Sequence, residues 1–476
     1  MPDPTQPSPG GRRWRPSRRT VLKTGAAAGW FLGGAVAVGG GYLLGNRRSD
    51  RSMEDLDGRP LRILSGRDDT ANGQRGLLVD QWNLRFPDHP AEMVELPGVA
   101  DLQYGAIHAA LQAGDPAVDV VNLDLPWIAD FAKAGRLLEL ERPTEGGYLG
   151  RPLSAGEVDG KLRALPFNTD VGMLYYRLGA ATDYATGTLS AEDAARIADW
   201  EDLRRVAEGM VVAGGFEGGI AMQLDAYEGF TVSVWEYLLA NRVEAKSDGS
   251  IDFGDPSPAV AQLEWLSREL HEPVGEGTMI LQESLRFAED ASLEAFRTGR
   301  TAFLRHWPRA FQDLRSCDRE FDVGVVPMPG RVLGGQSLAV SAASERPDAA
   351  VRLIEFLTGP MAQQRLFEPG GFASTREEPY YDAIAQTHLL DPAVEAPCDD
   401  GGSPRVEAAQ LFRALTGRDP EDRLDPGPEP GTRPAVERYT RFSRVFQEVV
   451  HGELEADSTP DLSRLQDLLD EAVAGR

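Results

Sequence analysis

Three side chains that can hydrogen-bond or stack follow a predicted β-strand or turn. Asp124 comes directly after the apolar run Val118–Leu123, and its carboxylate can accept hydrogen bonds from two hydroxyl groups. Asn168 follows a predicted turn at Leu165–Phe167 and offers an amide that can donate and accept hydrogen bonds. Trp307 follows another predicted strand and offers an indole face for stacking. Ligands of open α/β sheets bind at the carboxyl ends of strands. These three residues therefore predict a ligand-binding site.

Each of the three residues also has an ordinary structural explanation. Asp124 could cap a helix that begins at Pro126, since Asp is a favoured N-cap residue. Asn168 could form an Asx-turn, and Trp307 could simply belong to the hydrophobic core. The residue types alone leave both interpretations open.

Five further residues are candidates for the same site. Tyr227 and Glu228 precede a glycine, and Glu228 could accept hydroxyl groups or could be a solvated charge at a helix start. Gly334 and Gly335 lack side chains, so their backbone N–H groups could approach a ligand, although a plain turn is the alternative. Arg433 offers five fixed donors, but it could also be only a surface counter-charge.

Signatures of catalysis and of metal binding are absent from the sequence. We find no GxSxG, phosphate-loop, HExxH or CxxC pattern, so we expect neither an enzyme nor a metal or other cofactor. The cysteines are Cys317 and Cys398, and an oxidising compartment would allow them to pair. Sequence gives no distance between them, so the disulfide stays open.

The net charge argues against nucleic acid as a partner. The chain has 476 residues and a formal charge of −26. Residues 1–48 hold eight Lys and Arg against Asp3 alone, so the rest of the chain carries −33. A surface this acidic repels phosphate backbones.

The N-terminal sequence predicts an export signal. Arg18-Arg19 precede the uncharged, Gly/Ala-rich stretch 24–46, which is typical of a twin-arginine signal. Ala35–Ala37 offers a cleavage site, whereas the intact stretch is long enough to span a membrane. The first cysteine is Cys317, so we expect no lipid anchor near the signal. The following chain should lie outside the cytoplasm, either anchored at the cell surface or secreted.

Strands and helices alternate from Leu61 onward, which predicts an α/β layer. One of these helices, Pro126–Ala134, should end at Gly135. Helices then dominate from about Ala191, beginning with a predicted helix over Ala191–Val212, before short strands return. This order predicts two lobes that one backbone crosses several times. We expect a signal or anchor at 1–48, a linker at 49–59, lobe 1 at 60–167 plus 322–367, and lobe 2 at 168–321 plus 368–476.

Several segments, in order, resemble the family 1 extracellular solute-binding proteins of carbohydrate ABC transporters, most closely the trehalose/maltose-type group. The matching segments are Asp119–Asp124, Phe131–Gly135, Gly160–Asp170, Tyr227–Gly229, Gly299–Phe303, His306–Pro308, Gly334–Ser341, and Arg433-Pro434 with Tyr439 and Ser443. The resemblance implies a periplasmic-binding-protein-like fold of type II, with two α/β lobes, a hinge and an interlobe cleft.

The resemblance also implies a function. The protein would capture a di- or oligosaccharide in the cleft and deliver it, as a monomer, to an ABC permease and its ATPase subunits. Its N-terminal segment would be the contact with the membrane. Two other classes stay open at this point: a membrane-tethered sensor or scaffold with the same fold, and a secreted glycosidase that uses paired carboxylates.

Overall fold

The computed structural model describes residues 59–475, apart from 69, 71–72, 145, 248, 255, 315–320, 369, 390–403, 419–429, 432–437 and 457. The predicted export segment, both cysteines and Arg433 lie outside the described residues. Within the described part of the chain, no helix combines the length and the apolarity that crossing a membrane requires.

The chain alternates strands with helices in its first third and becomes richer in helices after residue 190. The strands are β1 (Leu61–Gly66), β2 (Ala91–Leu96), β3 (Val120–Asp124), β4 (Glu157–Val158), β5 (Lys161–Leu162), β6 (Leu165–Val171), β7 (Met173–Leu178), β8 (Thr188–Leu189), β9 (Gly218–Ala221), β10 (Pro273–Val274), β11 (Gly277–Ile280), β12 (Thr301–His306), β13 (Val323–Pro327) and β14 (Leu333–Val340).

The α-helices are α1 (Gln74–Arg85), α2 (Ala100–Ala113), α3 (Trp127–Lys133), α4 (Gly150–Ala155), α5 (Ala191–Ala194), α6 (Trp200–Gly214), α7 (Glu228–Ala240), α8 (Pro258–His271), α9 (Glu289–Arg297), α10 (Ala310–Leu314), α11 (Pro347–Leu357), α12 (Pro360–Phe367), α13 (Glu378–Leu389), α14 (Pro404–Thr416), α15 (Tyr439–Phe446), α16 (Gly452–Glu455) and α17 (Leu465–Ala474). A 3₁₀ turn at Gln282–Arg286 and a π-helical turn at Gln447–His451 complete the helical segments of the described chain.

The first sheet has the strand order β2-β1-β3-β14-β6. β1 runs parallel to β2 and β3, and β14 runs antiparallel to β3 and β6. The apolar side chains of β3 are fully buried because helices α2 and α3 cover the sheet beside them, as expected for a parallel strand. Asp124 ends this strand at its carboxyl end.

The second sheet has the order β10-β11-β9-β12-β7-β13, with β8 paired to β7. β12 lies at its centre, parallel to β9 and antiparallel to β7. One large core joins this sheet to α6, α7, α8, α15 and α17, and it includes the buried rings of Trp200, Trp235 and Phe446. The second lobe is therefore the larger and more helical of the two.

The two sheets confirm two α/β units but correct the predicted boundaries at two strands. β6 runs to Val171 within the first sheet, so lobe 1 extends beyond the expected end at residue 167. β13 pairs with β7 in the second sheet, although 322–367 was expected to lie in lobe 1. An apolar run such as Val323–Val326 can be buried in either sheet, and only pairing with β7 decides its place.

Candidate ligand-binding site

Asp124 lies at the carboxyl end of β3 and is partly exposed. Its Oδ1 accepts a hydrogen bond from the backbone N–H of Leu125 at 3.2 Å. The N-cap residue of α3 is Pro126, and no side chain caps this helix. The structure thus does not use Asp124 as the helix cap, and the carboxylate stands at the strand end where ligand contact was predicted.

Asn168 is buried within β6, and both ends of its amide are bound to the protein. Its Oδ1 accepts from Arg75 Nη2 at 2.8 Å, and its Nδ2 donates to Asp170 Oδ2 at 3.0 Å. Arg75 Nη2 also donates to Gln336 Oε1, which accepts from Asn122 Nδ2 as well, at 2.8 and 3.0 Å. Asn168 is therefore part of a polar network across β3, β14 and β6, and an Asx-turn does not explain it.

Arg75 and Gln336 are residues of this network that the sequence analysis missed. Arg75 lies inside the helical pattern of α1, where an arginine normally faces solvent. Here it is buried, with its guanidinium 5.2 Å from the ring centroid of Phe167 and 5.0 Å from that of Phe372. No local pattern distinguishes it, because its partners lie on distant strands.

Gly334 and Gly335 lie inside β14 rather than in a turn. Gly335 has a φ of +118°, and a Cβ atom there would clash with the carbonyl oxygen of Asn168. Its own carbonyl accepts the N–H of Leu125 at 3.2 Å. Glycine at 335 is thus explained by the close approach of β14 to β6, and direct ligand contact by either glycine stays a prediction.

Tyr227 and Trp307 in the second lobe are held by one carboxylate. The phenol of Tyr227 donates to Glu289 Oε1 at 2.8 Å, and Trp307 Nε1 donates to the same oxygen at 3.3 Å. Burial, followed by the charge of Glu289, raises the pKa of Tyr227 well above its ordinary value, so the phenol stays protonated. Trp307 is only partly buried, and the Arg305 guanidinium carbon lies 3.8 Å from its ring centroid.

Glu289 begins α9, and no motif in the sequence marks it as a site residue. An acidic residue in the first turn of a helix is common, because it interacts favourably with the helix dipole. Only the convergence of β12, α7 and α9 shows that this carboxylate joins the two aromatic side chains.

Glu228 is buried, so it is not a solvated helix-start charge. It is the first residue of α7, and its Oε1 accepts from the phenol of Tyr439 at 2.9 Å. Tyr439 is the first residue of α15. This hydrogen bond connects the first residues of α7 and α15, next to Tyr227.

A buried ion pair lies behind Trp307. Arg305 Nε donates to Glu236 Oε2 at 2.6 Å, and both side chains are 0% exposed. Glu236 also accepts the backbone N–H of Val332 at 3.0 Å, and Arg305 Nη1 donates to Gln223 Oε1 at 2.6 Å. These contacts fix the guanidinium that stacks on the indole.

The lobes touch each other along α3 and α15. Asp130 Oδ1, on α3, accepts the backbone N–H of Arg438 at 3.0 Å. Tyr104 on α2 lies close to Thr440 on α15. The described residues contain no cluster of His, Cys, Asp and Glu that could hold a metal ion. The candidate residues thus supply carboxylate and amide groups together with aromatic side chains.

Comparisons with known proteins agree with this architecture. The family model described as bacterial extracellular solute-binding protein matches residues 100–388, more than half of the chain. A probable ABC transporter-binding protein from Deinococcus radiodurans is 25% identical over 307 residues, which cover 60% of this chain and 69% of the relative.

Solved structures share the fold. Maltose-bound T. maritima MalE3 matches with a TM-score of 0.68 and 24% identity, over 87% of this chain and 98% of that one. An ABC transporter solute-binding protein from Thermotoga lettingae, bound to α-D-tagatose, matches with a TM-score of 0.65 and 18% identity. The match covers 88% of this chain and 98% of that one. These likenesses confirm the predicted type II, two-lobed fold, and the family match shows that the chain belongs to the bacterial extracellular solute-binding proteins.

Proposed function

We propose that this solute-binding protein captures a di- or oligosaccharide between its lobes and delivers it to an ABC importer. The observation that carries the proposal is the group of Tyr227, Trp307 and Glu289 in the second lobe. A partly exposed indole whose N–H is anchored suits stacking on the apolar face of a pyranose ring. The maltose in MalE3 and the transporter named for the Deinococcus relative support the same interpretation.

Membership of this family means that the protein works outside the cytoplasm as a binding protein and not as an enzyme. The alternative of a tethered sensor or scaffold is not favoured, because the family and the curated relative both point to transport. The permease would receive the ligand from a closed monomer, and ATPase subunits would power import. The two lobes should close on the ligand, because only a closed state lets both lobes contact it at once.

A calorimetric and thermal-shift series with the purified protein tests the proposal. Maltose, maltotriose, trehalose and tagatose would be added singly, and at least one should raise the unfolding temperature. A ligand present at 100 times its dissociation constant adds about 2.7 kcal/mol to the stability. Hydrolysis products in the same samples, or no response to these sugars and to the acidic sugars named in the next subsection, would contradict sugar capture.

We further propose that the protein leaves the cytoplasm through the twin-arginine route and stays at the cell surface or is secreted. The support is the pair Arg18-Arg19 ahead of the uncharged stretch 24–46. Changing both arginines to lysine should leave the full-length protein in the cytoplasm. The same change at Arg12 and Arg13 is the matched control, and it should leave export intact. Mass spectrometry of the exported protein would then distinguish a cleaved signal from a retained anchor.

A further inference from the structure

A groove of about 690 Å³ runs between the two lobes, next to the contact of α3 with α15. We call it the interlobe groove. Aromatic rings of α2 and α3 line one side: the ring centroids of Tyr104 and His108 lie 5.7 Å apart, and those of Tyr104 and Phe131 lie 5.4 Å apart. The opposite side is formed by α15. Both lobes therefore contribute a wall.

Basic side chains are concentrated in the interlobe groove. Lobe 1 contributes Lys133 and Arg136, and lobe 2 contributes Arg438, Arg441 and Arg444. Asp130 is the acidic residue that lines the described groove, and its Oδ1 already accepts the backbone N–H of Arg438. Asp101, at the start of α2, lies close enough to Arg444 for their charges to interact.

This concentration of positive charge runs against the rest of the molecule. Outside the N-terminal 48 residues the chain carries a charge of −33, so its overall field repels anions. The lining of the groove has the opposite balance, with five basic side chains and one acidic side chain, Asp130. The solubility of the protein does not explain why basic residues are grouped in this groove.

Arg136 has capacity for a further hydrogen bond. Its Nη2 donates to Gln112 Oε1 at 2.5 Å, whereas its buried Nε has no hydrogen-bond partner among the described residues. Buried polar groups are normally satisfied, so an unused N–H in a groove wall is costly without a ligand or water.

We infer that the interlobe groove binds the acidic groups of an anionic carbohydrate, one that carries carboxylate or phosphate groups. Guanidinium groups bind both anions through paired hydrogen bonds, and aromatic rings stack on the apolar face of a sugar. The inference rests on the proposed sugar-binding function and narrows its ligand class. Because Arg136 and Arg444 belong to different lobes, an anion between them also favours the closed state.

The test compares sugars with and without an acidic group, by isothermal titration calorimetry on the purified protein. Trehalose 6-phosphate is paired with trehalose, and digalacturonate with galactobiose, so the two arms separate phosphate from carboxylate as the source of charge. Inorganic phosphate alone is the ionic control. The acidic member of at least one pair should bind about tenfold or more tightly than its neutral partner, and salt should weaken that binding.

Two variants locate the effect. Arg444→Gln and Arg136→Gln should each weaken binding of the acidic sugar roughly tenfold and leave neutral sugars nearly unaffected. Arg205 is an exposed arginine on α6, and Arg205→Gln is the control that removes one positive charge outside the groove. It should change the affinity for neither acidic nor neutral sugars.

Each contrary outcome identifies what has failed. Neutral sugars that bind as tightly as the acidic ones, or more tightly, overturn the inference while sugar capture stands. The same holds if the preference for acidic sugars is lost in Arg205→Gln but kept in Arg444→Gln and Arg136→Gln. A response to inorganic phosphate as strong as to the acidic sugars also overturns it, because the groove would then be a general anion site. No binding of any sugar overturns both proposals.

Discussion

The indole of Trp307 is held from two sides, by the Glu289 carboxylate at its N–H and by the Arg305 guanidinium over its face. We expect Trp307→Ala to weaken sugar binding by about 2 kcal/mol, roughly thirtyfold in dissociation constant, because a preorganised stacking surface is lost. Calorimetry measures this directly.

Trp265→Ala is the control for Trp307. This tryptophan lies on α8, is 44% exposed, and also contacts arginine guanidinium groups, at 5.6 Å for Arg204 and 4.9 Å for Arg268. Loss of affinity in both variants, or in neither, would mean that Trp307 does not contact the ligand.

His306, next to Trp307, makes stability depend on pH. Burial, followed by the charge of Arg309, lowers the pKa of His306 from 6.5 to about 3 in the folded protein. Between those values the unfolded chain binds a proton that the folded chain does not, so stability falls as the pH falls from 6.5 toward 3.

His306→Gln removes this titration and keeps a donor of similar reach for the Glu289 carbonyl, which His306 Nε2 contacts at 3.2 Å. Urea unfolding at several pH values should show a shallower loss of stability for the variant below pH 6.5, by at most about 1.4 kcal/mol per pH unit. Parallel plots of stability against pH for the two proteins would mean that the pKa of His306 is the same in the folded and the unfolded chain.

At the scale of elements, β12 and α7 are joined by the Arg305–Glu236 pair. Glu236→Ala should destabilise the protein by about 3–5 kcal/mol, because it leaves a buried guanidinium without its carboxylate. The double change Glu236→Leu with Arg305→Met should recover most of that loss, since neither charge then remains buried. Urea denaturation gives both values.

The exposed pair Arg196–Glu192 is the comparison for the buried one. Glu192→Ala should leave the free energy of unfolding nearly unchanged, because solvent screens exposed pairs. If Glu236→Ala were equally mild, the core around β12 would have to admit water to the guanidinium.

Helix ends illustrate which elements were predictable. α3 spans Trp127–Lys133, and Gly135 follows it with a φ of +69°, as the pattern Pro126–Gly135 predicted. The predicted helix over Ala191–Val212 is instead two helices, α5 and α6. Asp199 caps α6 by accepting the N–H of Asp202 at 3.0 Å, a local break that hydrophobic spacing did not reveal.

At the scale of the whole molecule, the lobes are linked by the Asp130 carboxylate and the Arg438 backbone N–H. Asp130→Ala removes this hydrogen bond between the lobes, and we expect it to move the ligand-free protein toward forms with the lobes farther apart and to weaken sugar binding severalfold. Small-angle scattering would record a larger radius of gyration.

Asp130→Asn is the control, because its amide oxygen can still accept the same hydrogen bond. It should scatter like the unchanged protein. If the unchanged protein, Asp130→Ala and Asp130→Asn had the same radius of gyration without ligand, this contact would have no influence on closure.

The sequence by itself determined the alternation of strands and helices from Leu61 to Gly135, the residues at strand ends such as Asp124 and Trp307, and the family resemblance. These features are local, because turns, caps and short apolar runs are written in neighbouring residues. The export signal at Arg18-Arg19 is also a local pattern, and it stays a proposal.

Only the tertiary structure decided which sheet each strand joins and which polar groups meet. β13 pairs with β7, and Arg75 reaches Gln336 across 261 positions of sequence. Glu289 likewise meets Tyr227 and Trp307 only because α7, α9 and β12 converge. Such contacts depend on register and on packing between distant segments, and side-chain periodicity within one segment carries no information about them.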